Sequence, residues 1–463
     1  MKNEPTLRFL PLSDGKTPLF MWIMMPTFKL IEDPLYAGRF LSVIAGFFTL
    51  SGVFFLGWKF FSTKVGLWSS FLYVITPYFV FFDRMALVDS MLAAFSIWSI
   101  NLALLLVKFP RLDLAMILGY VLGGGLLTKT PAFFNFLVLP VTALTFNFAG
   151  KNRPRRMIKL FSLFIVSVVI GLIIYNLLRL GQGFTSLSSR NQDYIFSPLE
   201  LVGRPLDPFL PHWGDIVDWM PKLLGPVAIL FLLIGIVLIF IKKQKYGIAV
   251  FLMALIPLLI EMALLKTFTA RYILFPFPPM LVIMAIGINY ISEKLSEKIR
   301  FGSLILIFLL LVWPIYFNSL LLTDIQKAPI PKNERYGYLE EWTAGYGFEE
   351  IAKYLDEESK KEPIIVGTEG RFGTLPDGLQ IYLDANRNIS FVGGDAVVSG
   401  DLRNAAREHP TFFVANKSRY FNYQDKIELI KEYPKAVSPT GSQDAILLFR
   451  VFPVASDSAE NNQ

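Results

Sequence analysis

The chain has 463 residues, a mean hydropathy of +0.49, 54% hydrophobic and 17% charged residues, and a net charge of +7. A soluble globule carries about 25% charged residues, so this composition excludes a single water-soluble domain. The cations are scattered between apolar runs rather than gathered on one face, which argues against a nucleic-acid binder. With no cysteine and only His212 and His409, disulfides and thiolate chemistry are excluded, and a histidine-based metal site is not expected.

Residues 18–32 are apolar but short and carry Pro26, which predicts a helix lying flat in the membrane interface rather than crossing it. Apolar runs of the length a bilayer needs follow at 39–60, 65–82, 86–107, 112–128, 131–148, 157–178, 223–242, 246–265, 272–293 and 301–321. They predict about ten transmembrane helices. Between them, residues 179–222 are polar with aromatic and proline punctuation, and a loop of that length is usually functional. Residues 323–454 have soluble composition. A helical period at 347–359 and short β-like runs at 363–367, 389–392, 411–415 and 445–451 predict a small α/β domain. Residues 455–463 read as a disordered tail. The predicted architecture is therefore a transmembrane domain over 1–322, an α/β domain over 323–454, and the tail. No phosphate-binding P-loop is present, and the glycine triplet Gly367, Gly370 and Gly373 is not a dinucleotide fingerprint.

Lys and Arg in short loops set orientation. Lys59, Lys64, Lys108, Arg111, Lys151, Arg153, Arg155, Arg156, Lys159, Lys242, Lys243, Lys245, Lys294, Lys298 and Arg300 fall in one set of loops. The alternate set holds only Arg84, Lys129, Lys266 and Arg271. The first set is expected to be cytoplasmic, in a multi-pass plasma-membrane protein. The 179–222 loop and the α/β domain then lie outside. Residues 1–17 would also lie outside, with nothing before them to carry them across. Either a first helix is missing from this chain or the parity is wrong, and the reading favours a missing helix.

The charges at the outer leaflet stand out. Asp83 and Arg84 end one span, and Asp89 lies in the next at a depth of roughly 5–8 Å at 1.5 Å per residue. Lys129 ends another span, Glu261 is the lone charge within 246–265, and Arg271 and Tyr272 open the span at 272. A charge at a helix centre costs about 2.5–3.5 kcal/mol in a bilayer, so such residues need a watery cavity or a partner. Snorkelling of Arg84 and Lys129 to lipid phosphates is the plain structural alternative. Acids and cations at one level suit transfer of a sugar from a lipid phosphate. Cations neutralise the departing phosphate, and a carboxylate takes the acceptor proton.

Four runs resemble the family 39 glycosyltransferases, which include protein O-mannosyltransferases and lipid A aminoarabinose transferases. Asp14-Gly-Lys-Thr-Pro-Leu-Phe20 is similar to the family's Lys-Pro-Pro-Leu region, with Thr17 for its first proline. Arg84 to Leu92 resembles its Arg…Asp segment. Leu126-Leu-Thr-Lys-Thr-Pro131 resembles its Leu-Thr-Lys-Gly-Pro turn, with Thr130 for glycine, and Ala270-Arg-Tyr-Ile-Leu274 its late Arg-Tyr segment. The resemblance implies an inverting transferase with a polyprenyl-phosphate-sugar donor and an extracytoplasmic lipid, glycan or protein acceptor. By it, Lys16 and Arg271 contact donor phosphate, with Lys129 a further contact, and Asp89 organises the site or the acceptor. Arg84, Arg190, Asn191, Asp193, Tyr194, His212, Glu261 and Tyr272 are candidates to line the cavity, while Asp14 shapes the turn before Gly15. No cofactor is certain and a divalent metal stays open. The family's upstream Asp-Glu pair has no counterpart here, where only Glu4 precedes Asp14 among the acids, so this chain is expected to lack its presumed base and to be inactive as it stands. A flippase of lipid-linked sugars, which would need midplane charges, and a non-catalytic scaffold displaying the α/β domain are the competing readings.

Overall fold

The computed structural model describes residues 5–149, 152–204, 206–371, 373–383, 386–421 and 427–453. Glu4, Lys151 and the tail 455–463 lie outside the described residues. Contacts divide the chain into a unit Met1–Pro329 and a unit Ile330–Gln463.

In the first unit a 3-10 segment, Pro5–Asp14, leads into α1 (Leu19–Thr27), α2 (Pro34–Phe60), α3 (Thr63–Ile75), α4 (Pro77–Phe82), α5 (Val88–Lys108), α6 (Leu112–Thr128), α7 (Phe133–Leu137) and α8 (Arg153–Asn176). The run expected to lie in the interface contains the short α1. After α8 come α9 (Ser186–Tyr194), α10 (Pro198–Val202), α11 (Phe209–Leu224), α12 (Pro226–Ile241), α13 (Lys245–Leu264), α14 (Pro278–Lys298) and α15 (Gly302–Thr323). Residues 179–222, read as a loop, are largely helical.

Among the described residues five helices are long and apolar enough to cross a membrane, or six if the bent pair α11–α12 forms one span. Two expected spans are broken. The run 65–82 divides at Thr76, whose extended backbone precedes Pro77, because proline disfavours helical backbone in the residue before it. The run 131–148 becomes the 3-10 turn Thr130–Ala132, α7 and the 3-10 segment Leu139–Thr145. Pro131 and Pro140 cannot donate helical hydrogen bonds there. The α11–α12 bend of 111° falls at Gly225, whose φ is +88°, a backbone that favours glycine. The Trp313 indole donates to the Lys222 carbonyl at 2.8 Å and braces the corner.

Helix α14 is buried from Pro278 to Ile288 and packs backbone-on-backbone against α12. A Cβ on Gly235 would sit 2.0 Å from the Ile283 carbonyl oxygen. Small residues allow such close helix approach.

The second unit holds α16 (Lys332–Arg335), α17 (Phe348–Ser359), α18 (Thr374–Leu383), α19 (Gly400–Ala405) and five strands: β1 (Ile364–Glu369), β2 (Ile389–Gly394), β3 (Thr411–Asn416), β4 (Ile427–Pro434) and β5 (Ala445–Val451). The sheet order is β2-β1-β3-β5-β4. Strands β1, β2 and β3 run parallel, and β5 is antiparallel to both β3 and β4. Alternation along each strand sends Phe412 and Val414 to a core with Ile351 and Leu355 of α17. Phe413 and Ala415 face a second core with Leu402 of α19. Strand β4 was not foreseen from the sequence. Its IELIKEYP run carries charges that blunt an edge strand, and a bulge between Leu429 and Lys431 breaks its alternation.

Candidate active site

Asp89 lies in the first turn of α5 and Lys129 caps the C-terminus of α6. A carboxylate suits the positive end of a helix and an ammonium the negative end, so each helix accepts its charge locally. The two meet: Lys129 Nζ donates to Asp89 Oδ1 at 2.6 Å. Asp89 is 3% exposed. The Lys129 side chain keeps 25% exposure and so remains reachable.

A close crossing of α5 and α6 permits this meeting. A Cβ on Gly124 would lie 2.5 Å from the Phe95 ring of α5. We expect Gly124→Val to push the helices apart and destabilise the chain by about 1–3 kcal/mol through overpacking. A thermal unfolding scan checks this, and an unchanged midpoint would refute the close-packing account.

Tyr272 joins the pair. Its ring centroid lies 4.7 Å from Lys129 Nζ and 5.1 Å from the Arg271 guanidinium carbon. The Arg271 guanidinium also reaches the Tyr272 hydroxyl at 3.4 Å. One ring therefore gathers two cations, an arrangement its quadrupole favours. Glu261 of α13 is buried at 3% exposure and lies within electrostatic reach of Lys129 and Asp89. The segment bearing Arg271 is fixed from behind, because the Tyr78 hydroxyl donates to the Ala270 carbonyl at 2.6 Å.

A second group lies around the start of the chain. Lys16 pairs with Asp14 at 2.5 Å, and both are exposed. Gly15, at φ +65°, packs beneath Arg190 of α9, where a Cβ would stand 2.4 Å from the arginine Cβ. Arg190 binds Tyr194 through its hydroxyl at 3.0 Å and its ring face, and lies 3.5 Å from Asp193. This group is at the same end of the bundle as the first. Leu12 packs on Leu127, two residues before Lys129. The α9 segment is tied to the end of α13 by Lys266, whose backbone N–H donates to Tyr194 and whose ammonium donates to the Gln192 carbonyl. Asn191 is half-buried beside it on α9.

His212 is placed differently. It is buried in α11, its Nδ1 is 2.8 Å from the Met262 carbonyl, and its ring stacks on Phe268. Arg84 is half-buried in the turn before α5. Its neighbour Asp83 accepts from the Tyr73 hydroxyl at 2.5 Å. Tyr73, Tyr78 and Lys266 were not singled out from the sequence; tyrosines in apolar runs give no signal separating a bracing hydroxyl from a packing ring. Among the described residues no group of three His, Asp or Glu is placed to hold a metal ion.

Residues 15–178 match the sequence model of a family described as dolichyl-phosphate-mannose-protein mannosyltransferase. This bears out the resemblance to the family 39 glycosyltransferases over the segment that holds Lys16, Asp89 and Lys129. No curated protein matches the chain. Among solved structures the fold is similar to ArnT from Cupriavidus metallidurans in the apo state, at TM-score 0.54 and 12% identity, covering 94% of this chain and 87% of that one. The same protein bound to undecaprenyl phosphate matches at TM-score 0.55 and 13% identity, covering 96% and 88%. The archaeal oligosaccharyltransferase AglB from Archaeoglobus fulgidus, in complex with an inhibitory peptide and a dolichol-phosphate, matches at TM-score 0.50 and 13% identity, covering 96% and 67%. At these identities the likeness speaks to the fold: a helical unit of apolar helices followed by a sheet-containing unit.

Proposed function

We propose that this chain is a multi-pass membrane glycosyltransferase that moves a sugar from a polyprenyl-phosphate carrier to an acceptor hydroxyl outside the cytoplasm, with inversion. The gathering of Asp89, Lys129, Tyr272, Arg271 and Glu261 at one end of the helical unit carries this reading. The family match over residues 15–178 and the lipid phosphates bound by the similar folds support it.

In this reading the acceptor oxygen attacks the anomeric carbon from the face opposite the phosphate. The bond from that carbon to the phosphate oxygen breaks, and its electron pair leaves on the phosphate. Arg271 and Lys129, joined by Lys16 from the start of the chain, take up the growing negative charge. Asp89 holds Lys129 at 2.6 Å and orders the acceptor side. The acceptor proton passes to a carboxylate, and because the family's upstream Asp-Glu pair has no counterpart here, this reading gives that role to Glu261 or Asp89, in place of the expected inactivity. Arg190, Asp193 and Tyr194 stand beside the turn that carries Lys16, and His212 supports the α13 end through the Met262 carbonyl. The helical unit lies in the plasma membrane, the loops rich in Lys and Arg face the cytoplasm, and the second unit lies outside.

Arg271→Ala, assayed in membranes with a radiolabelled polyprenyl-phosphate sugar, is expected to lower transfer by about 10²–10³, the loss typical for one charge-stabilising group, while the protein stays folded. Full activity in that variant would remove Arg271 from the site. Movement of labelled lipid-sugar between leaflets without transfer would favour a flippase instead.

A further inference from the structure

The opposite end of the helical unit holds a polar cavity of about 390 Å³. It is bounded by the end of α2, the start of α3, the α12–α13 turn and the last third of α14, and it shares no lining residue with the Asp89 cluster. From Lys245 to Glu261 along α13 the separation is about 24 Å, at 1.5 Å per residue. Lys242 and Lys245 stand on its rim, and neither is ion-paired among the described residues. Lys242 is held 4.6 Å over the Tyr290 ring. Two lining carboxamide oxygens, Gln244 Oε1 and Asn289 Oδ1, are buried with no hydrogen-bond partner among the described residues. Glu293, also in the lining, is paired with Lys64 at 3.1 Å and also faces the Asn289 side chain and Lys242.

An orphaned buried acceptor costs about 1–3 kcal/mol. A native fold retains two in one cavity when something with donors fills it. Two ammonium groups at the rim, facing one lining carboxylate that Lys64 already pairs, ask for an anion. Phe60, Leu238 and Ile286 line the same cavity and suit the first carbons of an acyl-bearing group. Basic pockets between membrane helices bind lipid headgroups.

We propose that this cavity binds a phosphate whose substituent carries hydrogen-bond donors, the chemistry of a phosphatidylethanolamine or phosphatidylglycerol headgroup. Lys242 and Lys245 take the phosphate. Gln244 Oε1 and Asn289 Oδ1 accept from the ammonium or hydroxyls. The site is separate from sugar transfer and stands whether or not the chain proves to be a transferase.

Native mass spectrometry of the purified full chain in detergent tests this with phosphatidylethanolamine, phosphatidylglycerol, phosphatidylcholine and inorganic phosphate as probes. The first two are expected to bind, and Lys242→Ala/Lys245→Ala to weaken them by roughly tenfold or more, given about one order of affinity per 1.4 kcal/mol. Both lysines are exposed, so the double variant keeps its fold. Phosphatidylcholine, whose headgroup has no donor, is expected to bind less well, and Asn289→Leu to erase that preference. Displacement of lipid by millimolar inorganic phosphate would support the phosphate site and identify a soluble anion as the occupant. Equal retention of all three lipids by the native chain and the lysine variant would overturn the proposal.

Discussion

Replacing Lys129 by methionine is expected to lower sugar transfer by at least about 10²–10³ and to destabilise the helical unit by about 3–5 kcal/mol, the usual cost of stranding a buried charge. Asp89 is 3% exposed and pairs with Lys129 at 2.6 Å. Without the ammonium, the carboxylate at the start of α5 retains the helix dipole and little else. The two effects separate in the double variant Asp89→Asn/Lys129→Met, which removes both charges. Neutralising a buried pair together is often close to neutral for stability, so its unfolding midpoint should return towards the native value. Its activity should not return if Lys129 takes up the charge of the leaving phosphate as proposed, because that cation is still absent. A double variant that regains both stability and transfer would show the pair to be structural only. Lys129→Met with native turnover would remove Lys129 from the mechanism.

Lys435→Met should produce the largest stability loss in the second unit, about 3–5 kcal/mol. The Lys435 side chain is fully buried. Its ammonium donates to the Glu341 carbonyl at 2.8 Å, to Asp444 at 3.0 Å and to the Asn416 side-chain oxygen. Asn416 in turn donates to buried Glu369, through its backbone N–H at 3.0 Å and its side chain at 2.8 Å. This chain of bonds ties the end of β1, the end of β3 and the β4–β5 connection together. Burial pushes the Lys435 ammonium below its usual value and the Glu369 carboxyl above its own, so both charges depend on these partners. Removing the ammonium takes the donor from Asp444 Oδ2, Asn416 Oδ1 and the Glu341 carbonyl, leaving Asp444 only the Ser418 N–H on its other oxygen. Hydrogen exchange on the full chain, read at the amides of β3 and β5, should show a large loss of protection. Lys435→Met/Asp444→Leu should recover part of it, since the stranded carboxylate is then gone as well. A loss under 1 kcal/mol would refute the network's role.

The chain order of apolar runs determined the helical unit. Ordinary strand and helix periods determined the α/β unit, including β1, β2, β3, β5 and α17. Strand β4 escaped because an edge strand under a bulge shows neither alternation nor an apolar run. The broken spans were marked by Pro77, Pro131 and Pro140, but length and hydropathy alone read through them. Each charged residue of the site was legible singly, as a charge where charge is costly. Asp89 and Lys129 are forty residues apart, and Arg271 and Tyr272 lie far beyond both, so nothing in the sequence could say which would touch. That was decided by Gly124, which admits Phe95 and brings α5 against α6, and by Tyr78, which holds the Ala270 carbonyl and sets the Tyr272 ring beside Lys129. His212 makes the complementary point. As a polar residue in an outer segment it resembled a cavity group, yet the tertiary structure buries it against Phe268 and gives its nitrogen to a carbonyl. Local sequence determined which charges and which helices this protein has. Side-chain packing between distant helices decided their pairing, because a buried charge is stable only beside the partner the fold supplies.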